Sequence, residues 1–134
     1  MPRRDAQPSP RRHAFPARLR VSGRAAFAAL RASPIRAMAA PFIVHALPSE
    51  REHHRLGLAV PRRVGTAVKR HRIKRLLREA FRLMQHDLPG RYDLLITVRP
   101  HDEAPLAAYR HSLGIAVDQV HAKWRKKQDK SRGA

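Results

Sequence analysis

The alternation of apolar and polar positions divides the chain into helical and extended stretches. After Gly65, Ile73, Leu76, Leu77, Ala80 and Met84 recur at helical spacing, one stripe at about 100° per residue, which predicts a long amphipathic helix. Thr66 is placed to cap its start, and Lys69 falls on the stripe, where it is tolerated only in the first turn. Upstream, the Ala-rich run Gly23–Ala32 puts Phe27 and Leu30 on one face of a short helix, capped by Ser22 or Gly23 and stopped by Pro34. Ile35–Met38 and Phe42–Leu47 read as extended, the second apolar on both faces, as suits a strand covered on both sides. Arg55–Val60 reads as a strand closed by Pro61, and the short polar loop Pro48–His54 before it predicts antiparallel pairing with the preceding strand. The continuous apolar run Leu94–Val98 predicts a buried strand, completing a strand–helix–strand crossover of a kind usually right-handed. Leu106–Trp124 reads as a closing helix with Leu113, Val117, Val120 and Trp124 on one side, slightly weakened by Gly114.

A chain of 134 residues accommodates one such domain. Residues 19–125 are its expected extent. Residues 1–18, with five Arg, four Pro and few large apolar groups, read as a disordered basic arm, and residues 126–134 as a second basic tail. No apolar run approaches the roughly 20 residues that span a bilayer, and the first residues lack a secretory pattern. A soluble, cytoplasmic protein with no membrane partner is expected. The absence of cysteine excludes disulfides, thiolate metal sites and cysteine nucleophiles.

Charge then changes the picture. Lys and Arg number 29 against 10 acids, a net charge of +19 that calls for a polyanionic partner. The excess concentrates in Pro61–Arg82, where Arg62, Arg63, Lys69, Arg70, Arg72, Lys74, Arg75, Arg78 and Arg82 face one acid, Glu79. Lys74, Arg78, His71, Arg82 and Arg75 fall opposite the apolar stripe. Cations in a first turn oppose the helix dipole, and an anion bound at the free N–H groups there reverses that cost. The pattern therefore reads as a nucleic-acid-binding face.

Catalysis by the chain itself is not expected. Asp87, Asp93, Asp102, Glu103 and Asp118 are scattered, with no spacing that sets two ligands or an acid–base pair on one face. His53 and His54 beside Glu50 and Glu52 match a metal site in composition only and read as a solvated loop.

The stretch Gly65-Thr66-Ala67-Val68-Lys69-Arg70-His71-Arg72-Ile73-Lys74-Arg75, continuing to Leu83, closely resembles the signature of the protein subunit of bacterial ribonuclease P, an Arg-Asn-Arg-x-Lys-Arg-x-x-Arg-Glu helix behind a Gly-x-Ala-Val turn. The resemblance extends over about Phe15–Trp124. His71 stands where the family usually has Asn, and Pro61-Arg62-Arg63 where it has Ser-Lys-Lys. The resemblance implies an α+β two-layer sandwich of order α-β-β-β-α-β-α, with an uncommon left-handed crossover, a fold also found in a ribosomal protein domain.

It further implies a non-catalytic subunit, paired one to one with an RNA that cleaves the 5′ leader from precursor tRNA. That RNA holds the Mg²⁺, and no metal is bound by protein side chains alone. The implied RNA-subunit contacts are Arg62, Arg63, Lys69, Arg70, His71, Arg72, Lys74, Arg75 and Arg78. The implied leader cleft, between the first helix and the sheet, offers Phe27, Arg31, Phe42 and His45 as stacking groups. A general or ribosome-associated RNA-binding protein is the alternative reading of the same charge.

Overall fold

The computed structural model describes residues 15–133. In chain order these form α1 (Arg24–Arg31), β1 (Arg36–Ala39), β2 (Phe42–Pro48), β3 (Arg55–Ala59), α2 (Ala67–Met84), β4 (Tyr92–Val98) and α3 (Leu106–Gly133), the α+β order expected. The strands make one sheet in the order β1-β2-β4-β3. β2 pairs antiparallel with β1 and with β4, and β3 runs parallel to β4 through the α2 crossover.

The expected antiparallel pairing of β2 with β3 is therefore corrected: β4 lies between them. Leu94, Leu95 and Ile96 of β4 are wholly buried, so this strand needs cover on both faces and a neighbour on each side. Shorter β3, with Gly57 at its middle, takes the edge. That edge is not bare, because the Val21 N–H donates to the Leu56 carbonyl at 3.0 Å.

One face of the sheet presents Phe42, Val44 and Ala46 of β2 with Leu94, Ile96 and Val98 of β4. It is sealed by Ile73, Leu77 and Phe81 of α2 and by Tyr109, Leu113, Val117 and Val120 of α3. The opposite face is covered by α1, whose Leu30 joins Val21 and Leu95 in a smaller core. The buried arc of α2 is rotated from its sequence stripe, since Phe81 is fully buried and Leu76 only partly. Phe81 meets the ring of Phe15 at 5.8 Å, so the stretch read as a disordered arm enters the core by Phe15. The rest of that arm, residues 1–14, lies outside the described residues. At the other end, α3 stays helical to Gly133, through most of the stretch read as a tail.

His54, expected in a solvated loop, is 4% exposed. The Tyr92 N–H donates to its Nδ1 at 3.0 Å, which leaves the proton on Nε2, facing the Leu88 carbonyl at 3.5 Å. This neutral tautomer ties the loop to the start of β4. Burial, chiefly, lowers the His54 pKa from its usual 6.5. The unfolded chain takes up a proton here below that pH and the folded chain does not, so stability is complete above it and falls as pH falls. Stability is expected to drop by up to about 1.4 kcal/mol between pH 7.5 and 5.5 from this group. Denaturant titrations of the parent and of His54→Gln check it, the variant showing the shallower dependence.

Candidate nucleic-acid interface

The start of α2 is built from backbone geometry and two basic side chains. Arg62 to Val64 form one 3-10 turn, in which buried Val64 anchors the chain and Arg62 and Arg63 stay exposed. Thr66 is the N-cap, its Oγ1 accepting from the Lys69 N–H at 3.1 Å. Gly65 has φ 157°, and a Cβ there would lie 2.6 Å from Lys69 Cδ, so glycine is what lets the lysine stem lie across the turn. Lys69 is in the first turn, as its place on the stripe requires, and its Nζ donates to the His101 carbonyl at 2.7 Å. Arg70 Nε donates to the Gly65 carbonyl at 3.2 Å. Both side chains thus brace the turn.

Farther along, the face divides by whether its cations have partners. Arg72 donates to both carboxylate oxygens of Glu103, at 2.8 and 3.0 Å, and Arg82 to those of Glu79. Arg78 is half-buried, and burial followed by the nearby Arg20 lowers its pKa from the ordinary value. His71, Lys74 and Arg75 make no hydrogen bond or ion pair among the described residues. On the opposite side of the same helix, Ile73 and Leu77 are fully buried and fix its rotation. The outcome is a basic strip whose borders are held by ion pairs and in which Lys74 and Arg75 are uncompensated among the described residues.

Glu103 sits at the border of that strip and holds one of its arginines. Glu103→Gln releases Arg72 and removes a negative charge, so RNA affinity should rise about threefold, the scale of an exposed ion pair. A filter-binding comparison with the parent checks this.

The residues proposed for the cleft do not all meet. Phe27, Arg31 and His45 lie on the α1 side of the sheet, whereas Phe42 faces the other way, 1% exposed and 5.5 Å from the Tyr109 ring. Positions 42 and 45 are an odd number of residues apart on one strand, so the pleat sends them to opposite faces. Phe42 is a core residue and offers no stacking surface. Phe27 rests on β3, where a Cβ at Gly57 would come within 3.1 Å of its ring, so glycine makes room for the aromatic plane.

His45 is half-buried, and its Nδ1 is buried with no hydrogen-bond partner. Burial, then Arg36 and Arg31, lower its pKa, leaving a neutral ring between two guanidinium groups. Arg36, which the sequence reading missed, borders the candidate cleft, standing directly opposite His45 in the β1–β2 register. Next to it, Met38 is 56% exposed opposite Ile43. Phe27, Arg31, Arg36, Met38 and His45 thus share one side of the sheet, partly apolar and bordered by cations, a chemistry suited to an unpaired nucleotide strand.

A family model for ribonuclease P matches residues 15–121, a span holding both the strip and the cleft. The chain belongs to the ribonuclease P protein family. Family membership makes it a protein subunit of a tRNA-processing endoribonuclease. Solved ribonuclease P proteins share its fold. A Staphylococcus aureus RNase P protein, a mutant with defective mRNA degradation activity, superposes with a TM-score of 0.67 at 23% identity, covering 75% of this chain and 86% of that one. The Thermotoga maritima RNase P protein in complex with 1-(4-fluorophenyl)-2-thiourea gives 0.65 at 24% identity, covering 70% and 92%.

Within that family fold, two features of the candidate site are beyond the reach of sequence pattern. Glu103 meets Arg72 across 31 residues of chain, and Arg36 joins the cleft only through strand register. The odd spacing of Phe42 and His45 was, by contrast, in plain view.

Proposed function

We propose that α2 docks on the ribonuclease P RNA through His71, Arg72, Lys74, Arg75 and Arg78, with Arg62 and Arg63 alongside. The cleft between α1 and β2 then holds the 5′ leader of precursor tRNA against Phe27, Arg31, Arg36 and His45. The observation that carries this reading is the basic strip on α2, in which Lys74 and Arg75 have no partner among the described residues, on the side of the helix away from buried Ile73 and Leu77. Such a strip is repulsive within the monomer and favourable against phosphates. Lys69 and Arg70 support it indirectly, by fixing the turn.

In this reading the RNA cuts and the protein assists, one copy per RNA, in the cytoplasm. The residues present do not fit a Mg²⁺ site of the protein's own: the acids beside the strip, Glu79 and Glu103, each hold an arginine. In this reading the Mg²⁺ is held by the RNA.

Reconstitution tests the proposal. The protein is expected to restore cleavage of precursor tRNA by ribonuclease P RNA at low Mg²⁺ and to cut nothing without that RNA. A general RNA-binding protein would bind yet fail to restore cleavage, and cleavage by the protein alone would make it a nuclease in its own right.

A further inference from the structure

The family match ends at His121, yet α3 runs on to Gly133. Over this extension Lys123, Arg125, Lys126, Lys127, Lys130 and Arg132 accompany a single acid, Asp129. Trp124, the only tryptophan of the chain, follows Leu113, Val117 and Val120 on the stripe that faces the core, and is itself half-exposed. The stripe here outruns the sheet. Trp124, Lys127, Gln128 and Ser131 line a concave surface of about 290 Å³, and the Lys127 ammonium lies 5.8 Å from the indole centroid. Lys123, Lys127 and Lys130, at four- and three-residue spacing, form a row along one flank of that surface.

The extension is also placed with respect to the cleft. Lys123 Nζ donates to the carbonyl of Arg36, the residue opposite His45. The helix therefore leaves the body beside the β1 rim of the cleft. An aromatic plane flanked by cations is the chemistry that receives unpaired nucleotides, bases on the ring and phosphates on the lysines.

We propose that the α3 extension is a second single-stranded RNA surface that takes up the leader where it leaves the cleft past β1, stacking a base on Trp124 and pairing phosphates with Lys127 and Lys130. This rests on the cleft being the leader site. Its consequence is a leader-length dependence: short leaders occupy the cleft alone and long ones reach Trp124.

Because Trp124 is the sole tryptophan, its emission reports on the surface in the unaltered protein. The reconstituted holoenzyme is titrated, under non-cleaving conditions, with mature tRNA and with precursor tRNAs carrying short and long leaders. Emission is expected to stay constant with mature tRNA and the short leader and to be quenched by the long one. Lys127→Gln with Lys130→Gln, which keeps Trp124 while removing both ammonium groups, should weaken long-leader binding about fivefold and leave short-leader binding unchanged.

Emission insensitive to leader length overturns the proposal. So does quenching complete on adding the RNA subunit alone, which would assign the extension to that RNA, or quenching by an acidic polypeptide but not by the long leader. Restored cleavage in the same preparation separates these failures from failure of the ribonuclease P reading itself.

Discussion

Replacing Lys74 and Arg75 together by alanine is expected to lower affinity for ribonuclease P RNA on the order of a hundredfold, about 3 kcal/mol for two charge-assisted contacts. Neither side chain has a partner to lose within the described protein, so the whole loss is of binding. The logarithmic dependence of affinity on salt should become shallower by about two units, one for each phosphate contact removed. Thermal unfolding should be unchanged, because Ile73 and Leu77 still anchor the helix. Arg72→Ala is a less direct probe, since it also leaves Glu103 unneutralised beside the RNA. Binding isotherms at three salt concentrations, with a melting curve for each protein, decide the matter; an unaltered slope would place these residues away from phosphate.

Phe81→Ala should be strongly destabilising, at about 3–5 kcal/mol. Its side chain is fully buried between Phe15 and the edge-on ring of His54, with centroids at 5.8 and 6.4 Å. Removing it empties the meeting point of α2, the N-terminal segment and the loop before β3. Urea unfolding should show a lower midpoint at unchanged slope. Preserved stability would mean that Phe15 and His54 close the space unaided.

The helices were legible because their periodicity is local. Ile73, Leu77 and Ala80 declare the inner face of α2 within two turns, and Thr66 declares its start. Phe81 escaped because the stripe was drawn through Ala80 and Met84, although it lies four residues beyond Leu77 and shares that face. Strand order was less legible: a short polar loop between β2 and β3 argues for a hairpin, and only the double burial of Leu94–Ile96 argues that β4 must separate them. The burial of His54 had no local signal, since its partners, Leu88 and Tyr92, come from the loop after α2 and the next strand. For the site, the charge was plain and its apportionment was not. Which arginine is free depends on Glu103, which only the fold brings near.

The central position of β4 also sets an order of events during synthesis. A growing chain that has reached Met84 possesses β1, β2, β3 and the whole basic helix, but no strand able to join β2 to β3. Nor does α2 yet have α3 to pack against. The cationic strip is thus made before the central strand and the last helix that complete the apolar floor beneath it. The sheet closes through contacts distant in sequence, the slow kind, and only once Tyr92–Val98 has emerged. Until then the chain displays a polyanion-seeking surface on an unanchored helix, and an early phosphate partner would meet that helix ahead of the fold that orients it.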